Sequence, residues 1–276
     1  MSTPRGAMRW LVIAPLALLL LYVSAMLGLY AYGLHLAPDD LSPARTQAPA
    51  HIHALWKRVE VPGARRLPRL DPVTLFPRWY LQAKERMAKR GDARDLQRRL
   101  DNLHGAVVRR VMYRQRDVMS YRGGKWHLAG AAVRIHISRH WSLDDAINTH
   151  LVESEYGRGA IGIDAAAQAY FGVPAAALRE DEALALLVIE WSPSMYTLDC
   201  GKPRERFDRR FAALASRAGN DGASWTPDAA LARLRPATCA QRGNRAAQAM
   251  DAAGAAASSA NTGNSGVPQA GIRKKP

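Results

Sequence analysis

Three arginines of this sequence lie where a guanidinium group could bind a phosphate. Arg158 belongs to a glycine-rich connection, in which backbone N–H groups could add to the binding. Arg209 and Arg210 are adjacent in a predicted helix from about Pro203 to Ala215. They could face a substrate groove, or they could form ion pairs with carboxylates of neighbouring helices. We predict all three as substrate-binding residues, with a surface or ion-paired role as the alternative.

Carboxylates that could act as a general base are scattered along the chain. Glutamate is common on protein surfaces, so a solvated or ion-paired role is the better interpretation for each. We therefore predict no catalytic residue. The glutamates considered are Glu60, Glu85, Glu153, Glu155 and Glu182.

A metal site is not predicted either. His136 and His140 lie four residues apart on a predicted helix, a spacing that can bind a metal ion. No glutamate follows the first histidine and no third ligand lies nearby, so the pair does not make up a zinc site. We expect no metal and no cofactor.

The N-terminal segment predicts a membrane anchor. Residues 10–34 carry no charge, and at ~1.5 Å per residue they form a helix of roughly 37 Å, long enough for a ~30 Å hydrocarbon core. Arginines precede this helix and aspartates follow it, which places residues 1–9 in the cytoplasm and the rest in the periplasm. A signal peptide cleaved after Ala25 is the alternative, but the apolar run continues past it. The predicted location is the cytoplasmic (inner) membrane.

The net charge of +15 predicts an acidic partner. For an exported domain beside a bilayer, that partner would be anionic lipid headgroups or a phosphate-bearing, lipid-linked substrate. Nucleic acid, the usual partner of a soluble protein with this charge, is excluded by the export signal.

Composition divides the remainder of the chain. Residues 35–50 read as a linker, 51–125 as an N-terminal helical part, 126–241 as the main helical domain and 242–276 as a disordered tail. Cys200 and Cys239 could form a disulfide in an oxidising compartment, which requires their Cα atoms to lie within about 7 Å of each other. Strand patterns are scarce, so the fold class is mainly α.

Helix periodicity supports this class. Apolar residues recur every three or four positions after Asp92 and again from Trp126 to His140. Ser142 has the residue type of an N-cap, with acidic residues after it. Further helices are predicted after Asp71, at Ile163–Tyr170 and at Leu178–Ile189, the last of these deeply buried.

Residues 142–214 resemble part of the glycosyltransferase family 51 domain of class A penicillin-binding proteins and monofunctional transglycosylases. The string from Glu155 to Gly172, EYGRGAIGIDAAAQAYFG, follows the family's glycine-rich pattern, and Arg209–Leu214 looks like its fifth motif. The resemblance implies a lysozyme-like, mainly helical domain that polymerises lipid II. The motif residues with an expected structural role are Tyr156, Gly157, Gly159, Gly162, Tyr170 and Phe171.

The sequence departs from the family where the chemistry lies. The family's Glu-Asp-x-x-Phe motif, whose glutamate is the general base, is not found between residues 41 and 130, and neither is its second motif. A general base is needed because the attacking sugar hydroxyl must lose a proton. Other family positions are replaced here by Trp126, His127, Gly130, Leu143, His150 and Val152.

Three functions remain open on this basis. The first is a catalytically degenerate protein of peptidoglycan biogenesis that binds lipid II, glycan strands or a peptidoglycan synthase. The second is an active glycosyltransferase with its base in a rearranged N-terminal half. The third is an envelope scaffold that uses the domain for protein contacts only.

Overall fold

The computed structural model describes residues 5–74, 92–114, 124–196, 198, 204–219 and 225–236. All of these except 198 and 236 belong to one compact unit. The described part is mainly α, as predicted, and its only strand-like pairing is a bridge between Glu155 and Ile161. Its helices are α1 (Arg5–His35), α2 (Ala50–Glu60), α3 (Asp92–Tyr113), α4 (Gly124–His140), α5 (Leu143–Glu153), α6 (Ile163–Tyr170), α7 (Glu180–Trp191), α8 (Pro193–Tyr196), α9 (Glu205–Arg217) and α10 (Pro227–Ala230).

Helix α7 lies at the centre of the domain. Every residue from Asp181 to Glu190 is buried, and α2, α6, α8, α9 and α10 all contact the helix. A helix that is apolar on nearly all sides must be enclosed in this way. At its start, the backbone N–H of Arg179 donates to the Glu182 carboxylate (2.9 Å). The predicted burial of this helix is confirmed.

Helices α3, α4 and α5 form a second packed group. On α3, Leu100, Leu103, Val107 and Val111 form the buried face that the sequence period predicts. The N-cap prediction for α5 is also confirmed, because the backbone N–H of Asp145 donates to Ser142 Oγ (3.0 Å) and the Asp145 carboxylate accepts from the backbone N–H of Ser142 (2.9 Å).

Helix α1 has two parts with different surroundings. Its stretch Ile13–His35 has 23 residues with a mean hydropathy of 2.1, which is long and apolar enough to cross a membrane. Residues 13–22 are exposed, whereas Val23, Met26, Tyr30 and Gly33 are partly or fully buried along one face. This part of α1 packs on α4; a Cβ at Gly33 would lie 2.7 Å from the Ala132 Cβ atom.

Residues 36–49, which fall within the predicted linker, lie against the domain, and we call them the docked strap. Asn148 of α5 accepts from the backbone N–H of Ala48 (2.8 Å) and donates to the carbonyls of Ala44 (3.3 Å) and Thr46 (2.8 Å). Two further side chains bind strap backbone groups, those of Trp141 and Thr149. Composition identifies a segment without helix here, but it does not reveal these hydrogen bonds.

Several predictions lie outside the described residues. Asp71 and the three residues after it are not helical, and any helix beyond them would fall in residues 75–91. The other features outside the described residues are Glu85, both cysteines of the predicted disulfide (Cys200 and Cys239) and the predicted tail at 242–276.

Gly162 provides a test of the close packing around the glycine-rich connection. It has φ 85°, and a Cβ there would lie 2.6 Å from the carbonyl oxygen of Val152. Gly162→Ala should lower the free energy of unfolding by about 3 kcal/mol, because backbone strain and a backbone collision add together. Gly63→Ala is the matched control, since Gly63 has φ 74° and open space around it. The control should lose about 1 kcal/mol. Equal losses in denaturant titrations would contradict the packing argument.

His104 predicts a pH dependence of stability. Burial, with a contribution from the charge of Arg134, lowers the pKa of His104 from 6.5 to about 3, although its Nε2 is 2.9 Å from the Arg134 carbonyl oxygen. The unfolded chain therefore takes up a proton first, and this contribution to stability is lost as the pH falls from about 6.5 towards 3. His104→Gln should reduce the loss of stability between pH 7 and pH 5 by about 2 kcal/mol. His127→Gln, at an exposed position of α4, should leave the loss unchanged.

Candidate functional site

Helix α9 presents a pocket lined with arginine. Its apolar face, including Phe207, Phe211 and Leu214, is buried. The other side of the helix and Tyr196 of α8 line an open pocket of about 380 Å³. Because residues three, four and seven apart share one face of a helix, the α9 side chains converge there. These side chains are Arg206, Arg209, Arg210 and Ala213.

Arg210 is fixed in place by two kinds of contact. Its Nη2 lies 2.8 Å from Glu60 Oε1, and the two side chains are only 18% and 10% exposed. Its guanidinium also lies over the Trp191 ring, 4.4 Å from the centroid, and 5.8 Å from the centroid of Tyr196. Arginine suits such a site because its planar group can stack and form an ion pair at once.

Glu60 ends helix α2 and is surrounded by cationic groups. Besides Arg210, the guanidinium of Arg99 on α3 approaches to 3.8 Å, and the charge of Arg217 acts on the carboxylate as well. Burial raises the pKa of Glu60 and outweighs these three arginines, which lower it; the charge of Glu190 raises it further. A carboxylate with a raised pKa beside an arginine pocket has the chemistry of a general base, although little of it is exposed.

Arg209 and Arg210, for which the sequence predicted the same role, have different surroundings. Arg209 is exposed and lines the pocket, whereas Arg210 lines the pocket and is half-buried against Glu60. Sequence reasoning missed Arg206 and Tyr196, and it dismissed Glu60. The spacing of Arg206, Arg209 and Arg210 on one helix face was the available signal for the first.

Arg158 does not line this pocket. Its Nη1 donates to the carbonyls of Ala169 and Arg235, each at 3.0 Å, and its guanidinium lies 4.2 Å from the centroid of the Tyr170 ring. Arg158 also has a positive φ of 52°, within the turn that these contacts hold. The structure therefore places Arg158 in a contact that ties the chain near residue 235 to α6, and apart from the residues that line the arginine pocket.

The other residues of the family-like string shape a compact connection. Tyr170 Oη donates to the carbonyl of Tyr156 (2.8 Å), and Tyr156 Oη donates to that of Leu151 (3.2 Å). Both tyrosines and Phe171 are buried. The three motif glycines, Gly157, Gly159 and Gly162, all have positive φ, which favours glycine there. These contacts hold the connection between α5 and α6 in a fixed shape.

A histidine, a serine and a glutamate meet in the core without forming a reactive site. His150 Nε2 is 3.0 Å from Glu190 Oε1, and His150 Nδ1 is 3.3 Å from Ser154 Oγ. Burial raises the pKa of Glu190, but the charge of His150, hydrogen bonds from His150 and Ser154, and the charge of Arg110 together lower it below its usual value. Ser154 is fully buried, so a substrate cannot reach it. The cluster joins α5 to α7.

Two of the other glutamates pair with arginines that do not line the pocket. Glu153 pairs with Arg114 (2.7 Å), and Glu182 is buried and accepts from Arg233 Nε (2.6 Å). The rings of His136 and His140 lie 4.4 Å apart. Within the described ranges, no three or more His, Cys, Asp or Glu side chains gather as metal ligands would.

A family comparison supports the resemblance noted in the sequence. Residues 107–218 match the family model described as transglycosylase. The matched region begins inside α3, before Trp126, and ends just after α9, so it contains the arginines of the pocket. It corresponds to a partial domain, its C-terminal half, and the resemblance to family 51 is confirmed over that region. No curated protein matches the chain.

The ion pair with Glu60 predicts that the two adjacent arginines differ in their effect on stability. Arg210→Ala should lower the free energy of unfolding by about 3 kcal/mol, because it leaves Glu60 buried without its nearest cation. Arg209→Ala, the matched control, should change stability by less than about 0.5 kcal/mol, since Arg209 is exposed. Chemical denaturation of both variants measures the difference. A loss of stability for Arg210→Ala as small as that for Arg209→Ala would show that the pair with Glu60 is not stabilising.

Proposed function

We propose, from the transglycosylase match over residues 107–218, that this chain is a membrane-anchored, transglycosylase-like protein of peptidoglycan biogenesis. Helix α1 anchors it in the inner membrane, and the helical domain lies in the periplasm. There it binds lipid II, nascent glycan or a peptidoglycan synthase, and it does not join sugars itself.

The observation that carries this proposal is the arginine pocket on α9. Arg206, Arg209 and Arg210 converge on one open cavity, which fits a phosphate-bearing ligand. Trp191, which is 48% exposed, lies against Arg210 and adds apolar surface beside the cations. A lipid-linked sugar diphosphate combines an anionic group with apolar and sugar parts, so its chemistry matches this surface.

The surroundings of Glu60 support the proposed lack of sugar transfer. The family's base motif is absent from the sequence, and among the described residues Glu60 is the carboxylate that pairs with an arginine of the pocket. It is only 10% exposed, and one of its oxygens already accepts from Arg210. A general base needs hydrogen-bonding access to the hydroxyl that it deprotonates, and Glu60 has little such access in this arrangement.

An active glycosyltransferase is the second candidate, and one observation favours it. Glu60 has a raised pKa and lies directly beside the arginine pocket, as a catalytic carboxylate would. In this interpretation, ligand binding draws Arg210 away from Glu60, and the freed carboxylate takes the proton of the attacking hydroxyl.

Lipid II binding and polymerisation assays on the full-length protein separate these functions. We expect binding but no glycan polymer. Arg209→Ala should weaken lipid II binding about tenfold, because one charge-assisted contact is lost. Arg58→Ala is the matched control, because Arg58 pairs with Glu180 on the surface and does not line the pocket. It should bind as the parent protein does.

Two other results would overturn the proposal. Glycan polymer from the parent protein, lost in Glu60→Gln, would establish the enzyme. Absence of both lipid II binding and polymer would overturn ligand binding at the arginine pocket and would leave protein contacts only, as in the scaffold function.

A further inference from the structure

Hydrogen bonding assigns a charge to the buried cluster of His150, Ser154 and Glu190. Although burial raises the pKa of Glu190, the charge of His150 and hydrogen bonds from His150 and Ser154 lower it below its usual value, so the carboxylate is ionised and can only accept. The Ser154 hydroxyl therefore donates its proton to Glu190, and Ser154 Oγ must accept from His150 Nδ1 (3.3 Å). Because His150 Nε2 also donates to Glu190 (3.0 Å), the imidazole carries both protons and a positive charge.

Glu190 is joined to the arginine pocket through the end of helix α7. It directly precedes Trp191, the last residue of that helix. The Trp191 ring lies against the guanidinium of Arg210, whose Cζ atom is 4.4 Å from the ring centroid. The buried carboxylate is therefore one residue away from the ring on which a pocket arginine stacks.

Glu60 is joined to the same cluster through helix α2. The rings of His150 and Trp56 lie 5.5 Å apart, and Trp56 precedes Glu60 by about one helical turn. Residues four positions apart share a helix face, so Glu60 lies on the side of α2 that faces the cluster. The pKa of Glu60 agrees with this proximity, because burial raises it and the charge of Glu190 raises it further. A change in the charge of the cluster therefore changes the electrostatic potential at the pocket.

Three other charged or titratable groups act on the cluster or lie next to it. Arg110 of α3 acts on Glu190 and remains charged, as arginine does. Burial and the charge of Glu190 raise the pKa of Tyr156 well above its usual value, so its phenol remains neutral. The third group is Glu60, whose raised pKa means that it can also change its charge as the pH falls. A test must therefore separate Glu60 from His150.

We propose that the second proton of the His150 imidazole regulates the binding of a phosphate-bearing ligand at the arginine pocket. With this proton, His150 and Glu190 together are neutral. Without it, the pair has the negative charge of Glu190, which opposes an anion bound by the pocket arginines. The pocket should therefore bind its ligand more tightly at low pH. This inference rests on the ligand binding proposed above, and His150 is a position at which the sequence departs from the family.

Lipid II binding to the full-length protein, measured from about pH 5 to about pH 9, tests this regulation. The parent protein should bind about fivefold more weakly at the high end, which is the order expected of one unit charge acting through the protein without direct contact. Glu190→Gln removes that charge and keeps the shape of the side chain. Burial then favours a neutral His150, so the variant should bind at every pH as tightly as the parent protein does at low pH. A purely structural role of Glu190 predicts the reverse, weaker binding by the variant.

His127→Gln is the matched control, since His127 is only partly buried on α4 and does not line the pocket. It should keep the pH dependence of the parent protein. Binding by the parent protein that does not change with pH would overturn this inference and leave the proposed function intact, whereas no binding at any pH would overturn both. A pH dependence that persists in Glu190→Gln would assign it to Glu60 and contradict the role of His150.

Ser154→Ala takes the place of Glu190→Gln if the latter does not fold. It removes the acceptor of the His150 Nδ1 proton and one donor to Glu190, so the proton should leave at a lower pH. The midpoint of the change in lipid II binding should fall by about one pH unit. A midpoint equal to that of the parent protein would show that His150 does not control the pocket.

Discussion

The fold depends on one constraint: helix α7 is completely enclosed, and some of its buried side chains are acidic. A helix buried from Asp181 to Glu190 must find a partner for each charge inside the domain, since water cannot supply one. Glu190 finds His150 of α5, and Glu182 finds Arg233. These two contacts decide where α5 and the chain after α10 can lie. The hydrophobic effect encloses the helix, and the buried carboxylates select among the possible arrangements of its neighbours.

The need of a buried charge for a partner also explains why the arginines of the pocket have different surroundings. Glu60 is a buried charge at the end of α2, and it takes Arg210 as its closest partner. The stacking of Arg210 on Trp191 then holds one side of the pocket in a fixed position. Arg206 and Arg209 line the same cavity from the solvent-exposed side of α9. One glutamate thus determines which of the three arginines is held by an ion pair at the side of the pocket.

Local sequence signals predicted most of the fold and only part of the site. The apolar period of α3, the cap at Ser142 and the burial of α7 all follow from short stretches of sequence, and all three were correct. Arg209 and Arg210 could be placed in one helix, but their difference depends on Glu60, about 150 residues away along the chain. The contacts of Arg158 with Ala169 and Arg235 also join residues that no local sequence pattern relates to each other. Pairings of this kind follow from tertiary packing, which periodicity does not report.

The docked strap has a consequence for shortened forms of the protein. A chain that begins at residue 51, where composition suggests that the folded part starts, would lack the backbone groups that Asn148, Thr149 and Trp141 bind. Those three side chains would then face water or one another. A chain shortened from its N-terminus should therefore begin before Leu41, so that it keeps the stretch that covers the surface of α5.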